Sequence, residues 1–170
     1  GKFKGLDSVD VGAQISGRVA RVLVDFNDQV KAGQTLAEID PAQLISRVEQ
    51  SRAQVSAADA SVRLAKATLA QNKAALARAK DMAEKGLISS KDLEAAQADA
   101  DRADASIASS QSQASLSRAS LKDAETSLSW TTIKAPIDGV VLARLVEPGQ
   151  TVAASLQSPV LFTVARDLTQ

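Results

Sequence analysis

The sequence has no cysteine, no histidine and no tyrosine, and its aromatic content is one tryptophan and three phenylalanines in 170 residues. Without Cys or His, the commonest zinc and transition-metal ligands are missing, and so are thiol catalysis and the usual general base. No metal site is expected, though carboxylates and lysines remain as possible acids and bases. The lack of cysteine is compatible with any redox compartment. Four aromatics leave almost nothing on which bases could stack. An excess of one charge is absent too. Twenty Lys and Arg balance twenty Asp and Glu, so no net field draws the chain to nucleic acid or anionic lipid. No apolar run approaches the ~20 residues needed to cross a bilayer, and no signal peptide opens the chain. If the protein is exported or anchored, the segment responsible is expected outside these residues.

What is present falls into three segments. Residues 9–40 are rich in Val and Ile, with Gly12, Gly17, Asn27, Asp28 and Gly33 as punctuation. This reads as short strands joined at the Gly and Asn positions by turns. Residues 130–166 read the same way, with turns at Asp138–Gly139 and Pro148–Gly149. Residues 41–129 are dominated by Ala, Ser, Gln, Asp and Lys and interrupted only by Gly86, a composition that favours helix.

The outer segments repeat one pattern. Ile15, Gly17 and Val19 are followed by Val30, Gly33, Gln34, Thr35 and Leu36. Ile137, Gly139 and Val141 are followed, after a shorter interval, by Val146, Gly149, Gln150, Thr151 and Val152. Two copies of a small β unit are implied. Half a β-sandwich cannot bury its apolar face alone, so the copies should pack together, with the helical segment inserted in one β domain. The expected class is α+β.

Within the insertion, a seven-residue step runs through Val48, Val55, Val62, Leu69, Leu76 and Ala83. Ser51, Ala58, Ala65, Asn72 and Ala79 stand three residues beyond the first five. A second series holds Leu93, Ala100, Ile107, Ala114, Leu121 and Leu128, with Ala96, Ala103, Ser110, Ser117 and Ala124 three residues on. A sustained period of seven means a left-handed coiled coil, and small residues in the second column allow close approach. The two series mirror each other about residue 88, which makes an antiparallel hairpin with its tip near 86–90. Gly86 suits the left-handed end of the first helix, Ser89 or Ser90 the cap of the second, and Asp40–Pro41 the start of the first. Arms of about forty-five residues at ~1.5 Å each give a rod roughly 65 Å long. Such a rod can be mere scaffold. A hairpin whose ends return to one β domain nevertheless presents a tip, and here the tip carries Leu87 and Ile88 as an exposed apolar pair.

The β halves resemble the lipoyl/biotinyl carrier fold. Gly17, Val19, Asn27, Asp28, Val30, Gly33, Leu36, Ile39 and Asp40 follow that family's G-x-V … G-D-x-V-x-x-G-x-x-L-x-x-I-E run, with Asn27 in place of a glycine. The lysine that a carrier domain modifies at its next turn is missing, since none follows Asp40 until Lys66. No swinging-arm cofactor, and no cofactor of any kind, is expected. A split lipoyl-like sandwich with a helical hairpin is similar to the periplasmic adaptor, or membrane fusion (HlyD-like), family. Leu128, Trp130, Thr131, Ile133, Ala135, Pro136, Asp138, Gly139 and Val141 match its L-x-Y-T-x-I-x-A-P-x-D-G-x-V signature, with Trp130 for tyrosine. Residues 9–17 resemble its macrolide-export type.

The resemblance implies a periplasmic protein anchored to the inner membrane. It would link an inner-membrane transporter, of the ABC type by preference, to a TolC-like outer-membrane channel, and self-associate into a ring, by analogy a hexamer. Members that dock onto such channels carry R-x3-L-x6-S across the tip, which here falls on Arg78, Met82 and Ser89. The ordinary readings are a solvated helix residue for Arg78, hairpin core for Met82 and a plain cap for Ser89. Macrolide-type members place a gating glutamine in a loop of the lipoyl domain; the matching stretch sets Leu156 at that position and Gln157 beside it, with an ordinary surface loop as the alternative. Residues 162–170 resemble the approach to that family's β-barrel domain, with 167–170 as its start. An adaptor of the same plan for type I protein secretion or a proton-driven pump stays open, as do a carrier domain and a purely structural coiled coil.

Overall fold

A computed structural model describes residues 7–167 of the chain. They belong to two compact units, one holding the chain up to Val48 and from Ala124 onward, the other Glu49–Asp123.

The first unit is a β-sandwich with strands β1 (Ser8–Gly12), β2 (Gly17–Val22), β3 (Gln29–Val30), β4 (Thr35–Ile39), β5 (Thr132–Lys134), β6 (Gly139–Arg144), β7 (Thr151–Val152) and β8 (Val160–Arg166). One sheet has the order β1-β8-β6-β3 and the other β5-β4-β2-β7, all pairings antiparallel. The two orders map onto each other when the halves of the chain are exchanged, as the repeated pattern predicts. Each sheet also mixes the halves: β1 pairs with β8 and β3 with β6, while β4 pairs with β5 and β2 with β7. Neither half could satisfy its backbone without the other.

The matched turns show how the repeat works. Gly33 and Gly149 both adopt left-handed backbone, with φ of 85° and 86°. Each turn docks on the opposite half. Gly33 N donates to Ala135 O (2.8 Å) and Ala135 N to Gln34 O (2.9 Å). Likewise Gly149 N donates to Val19 O (2.8 Å) and Val19 N to Gln150 O (2.8 Å). The glutamine of each copy closes its own turn, accepting from Lys31 N at 3.0 Å and from Glu147 N at 3.2 Å.

The other repeated glycines are not turn residues, contrary to the sequence expectation. Gly17 and Gly139 open strands β2 and β6. They are small because something lies close by: a Cβ on Gly17 would meet Ile39 Cγ2 at 2.6 Å, and one on Gly139 would meet Ala165 O at 1.9 Å. Between the sheets Leu36, Ile39, Val19, Val141, Val146, Phe162 and Val164 are almost wholly buried. Burial of each is worth roughly 1.5–3 kcal/mol before conformational entropy is charged against it. Phe162 and Val164 place 162–166 in a strand of this core, within the second β half expected over 130–166. The expectation for 167–170 lies, apart from Asp167, outside the described residues.

Helices α1 (Ala42–Glu84) and α2 (Ser90–Ser129) follow the predicted seam. In the second unit every predicted seam residue is buried or half-buried, the buried ones being Ser51, Ala58, Ala65, Leu76, Ala100, Ala103, Ala114 and Ser117. Ser117 Oγ is satisfied by Gln113 O at 3.0 Å. Across the seam Asn72 Nδ2 donates to Asp99 O at 3.1 Å and Arg118 pairs with Asp59. Small residues here substitute close approach of two backbones for large side chains.

Candidate functional site

The turn between the helices is built from local chemistry. Gly86 has φ 70°, Gly86 N donates to Ala83 O (3.1 Å), and Leu87 N donates to Met82 O (2.9 Å). Those two bonds with a left-handed glycine make a Schellman motif, which satisfies the last carbonyls of α1. Ser89 then caps α2: its Oγ accepts from Asp92 N at 3.1 Å, and its carbonyl from Leu93 N at 3.2 Å. At the start of α1, Asp40 Oδ1 accepts from Ala42 N at 3.1 Å. Ser89→Ala is expected to lower hairpin stability by about 1 kcal/mol, read as a shift in its urea midpoint at unchanged slope; no shift would mean the hydroxyl is spare.

The Schellman turn also decides which tip residues face water. Leu87 and Met82 occupy the two positions whose side chains commonly meet across this motif. Leu87 is 66% exposed and Met82 39%. Met82 is thus an outward residue and not hairpin core. Ile88 is half-buried, so the expected exposed pair Leu87–Ile88 reduces to Leu87 alone. A step of one residue beyond the turn rotates Ile88 off the outer surface. Arg78 lies one turn below Met82 on the same face of α1, exposed and without an ion-pair partner among the described residues. It was the resemblance to channel-docking family members that named Arg78, Met82 and Ser89. The adjacency of Met82 to Leu87 was there to be read from Gly86, because that glycine dictates the motif. The tip therefore combines an exposed guanidinium, an apolar spot and a capped helix start.

The second candidate is the loop 153–159 between β7 and β8. Its ends are pinned, with Ala154 N donating to Ser16 Oγ at 2.8 Å and Ala13 N to Pro159 O at 3.3 Å. At its crest Leu156 is 96% exposed and Gln157 is also exposed. Among the described residues no cluster of three or more metal-ligating side chains occurs, and no helix is long and apolar enough to cross a membrane.

The family described as "RND MFP, barrel-sandwich hybrid domain" matches residues 7–164. The chain is 42% identical over 158 residues to the pyoverdine export membrane fusion protein PvdR of Pseudomonas putida, covering 93% of this chain and 40% of that one. It is 36% identical over 165 residues to the macrolide export protein MacA of Yersinia pestis, covering 97% and 44%. The crystal structure of MacA from Actinobacillus actinomycetemcomitans matches with a TM-score of 0.88 at 30% identity, over 92% of this chain and 48% of that one. The chain thus spans less than half the length of these relatives.

Proposed function

The chain belongs to the membrane-fusion-protein family through its barrel-sandwich hybrid domain, and from that premise we propose that it is the central part of a non-enzymatic periplasmic adaptor of a tripartite efflux system. It connects an inner-membrane transporter, of the ABC type, to a TolC-like outer-membrane channel. The observation that carries this reading is the tip: Arg78, Met82 and Leu87 stand exposed at a helix end and turn closed by the Gly86 and Leu87 backbone bonds and the Ser89 cap. A partner surface meeting it finds the backbone of the turn already ordered, which lowers the entropy lost on docking. Kinship with macrolide and pyoverdine export proteins supports an export role and the inner-membrane anchorage that goes with it. Self-association into a ring, with six copies as the working number, would set the crests at Leu156 and Gln157 around a common axis as a constriction.

The test is a cross-link. Ser90 is exposed and opens α2 without being its cap, so Ser90→Cys leaves the Ser89 hydrogen bond in place. The full-length protein, freed of any cysteine outside these residues, is co-expressed with a TolC-like channel bearing one cysteine at its periplasmic end. A disulfide between the two is expected. Its absence, with the hairpin folded and the channel present, would remove the docking role and leave a scaffold.

A further inference from the structure

Of the four aromatic residues only Phe162 is core among those described. Phe3 lies outside the described residues. Phe26 and Trp130 are exposed at opposite lateral edges of the sandwich. β1 and β5 are edge strands that touch each other on one side, so β3 and β7 end the two sheets on the other.

Phe26, on the loop leading into β3, is 67% exposed. Leaving a phenylalanine in water forgoes about 1.5–3 kcal/mol of burial, yet the loop is held firmly in that pose. Asp25 N donates to Asp28 Oδ2 (2.8 Å), Phe26 N to Asp25 Oδ1 (2.7 Å), Asp28 N to Asp25 O (3.2 Å) and Asn27 N to Val141 O (2.8 Å). Asn27 takes a left-handed φ of 70° to permit it. Arg144 clamps Asp25 at 3.1 Å and Glu147 at 3.0 Å. The Phe26 N–H and then Arg144 hold the Asp25 carboxyl below its usual range, so the clamp stays ionised. This pairing continues β3 along β6 and sets Phe26 beside the 142–143 step, where Leu142 is exposed too. A rigid, exposed aromatic beside a leucine is the composition of an interface anchor.

The opposite edge carries a groove of about 340 Å³ between β1 and β5, walled by Val9, Val11, Ile133, Pro136 and Trp130, with Lys134 also lining it. Asp10 lines it as well, but its carboxylate is occupied by the Thr163 hydroxyl at 3.0 Å.

We infer that Phe26 of one copy seats in the β1–β5 groove of a second copy of this chain. Charge selects this pairing over a symmetric one. Two Phe26 edges face to face would appose three carboxylates, Asp25, Asp28 and Glu147, against a single Arg144 in each copy, whereas the groove offers this acidic excess Lys134. Because anchor and groove lie on opposite edges, each copy gives one contact and receives one. Repetition of such a contact closes into a ring or runs on as a filament. The inference deepens, and rests on, the ring in the reading above.

Leu142→Cys and Lys134→Cys, combined in the full chain with Phe26 intact, place one thiol beside the anchor and one in the groove. Mild oxidation is expected to give a ladder of covalent multimers from the double variant and none from either single variant. Phe26→Asp added to the pair should cut the cross-linked fraction about tenfold or more. Dimers from Leu142→Cys alone would overturn the inference in favour of a symmetric edge contact. No ladder from a double variant with unchanged far-UV circular dichroism would overturn it outright. Loss of the ladder with the Ser90→Cys cross-link to the channel retained removes this contact and keeps the adaptor reading; the opposite result does the reverse.

Discussion

Gly139→Ala is expected to destabilise the β-sandwich by about 3 kcal/mol or more and to lower its melting temperature by roughly 10 °C or more. The added methyl would stand 1.9 Å from the Ala165 carbonyl oxygen, 2.8 Å from its carbon and 3.1 Å from Val164 Cγ1. Two of those three atoms are backbone, and the strand they belong to cannot easily withdraw. β8 is flanked by β1 and β6, and Val164 and Ala165 pair on both sides, with Val9 and Ser8 and with Val141 and Val140. Relief would have to break ladder hydrogen bonds worth about 1 kcal/mol each. The control is Gly33→Ala, where nothing lies within 4 Å of the new methyl and only the φ of 85° opposes it, a cost of about 1 kcal/mol. Trp130 is the sole tryptophan, so its emission reports both melts. Equal losses for the two variants would mean that Gly139 serves chain flexibility and not clearance.

Arg78→Asp should leave the hairpin folded and weaken docking on the channel by about 2 kcal/mol or more, roughly thirtyfold in Kd. Arg78 is exposed and has no ion-pair partner among the described residues, so its loss removes no internal ion pair. Reversing the charge does more than delete a fork, because a carboxylate would then face the acceptors the guanidinium was meant to meet. Leu87→Asp should act to a similar degree by wetting the apolar spot, whereas Met82→Leu, which nearly keeps size and polarity, should be close to neutral. Binding of the purified full-length protein to an immobilised TolC-like channel measures all three. Unchanged affinity in both Asp variants would take the tip out of the contact.

Much of the candidate site could be read along the chain. Gly86 announces the Schellman turn, Ser89 the cap and Asp40 the start of α1, because each acts on atoms within five residues of itself. The same reading misjudged Ile88 and left Met82 open between core and surface. Which way a tip side chain points depends on how two helices end together, and composition does not carry that.

The sequence by itself determined the period-seven seam, the fold-back near residue 88 and the doubling of the β unit. These are properties of repetition, and a repeat fixes geometry wherever every turn or strand step is the same. Only the tertiary structure decided that Gly17 and Gly139 are clearance residues while Gly33 and Gly149 are left-handed turns, that each half docks its turn on the other, and that Phe26 and Trp130 look outward from opposite edges. The atom that makes Gly139 necessary belongs to Ala165, on a strand brought alongside by pairing. Contacts of that kind depend on which distant segments meet, and a residue's own type and spacing do not record its neighbours across a sheet.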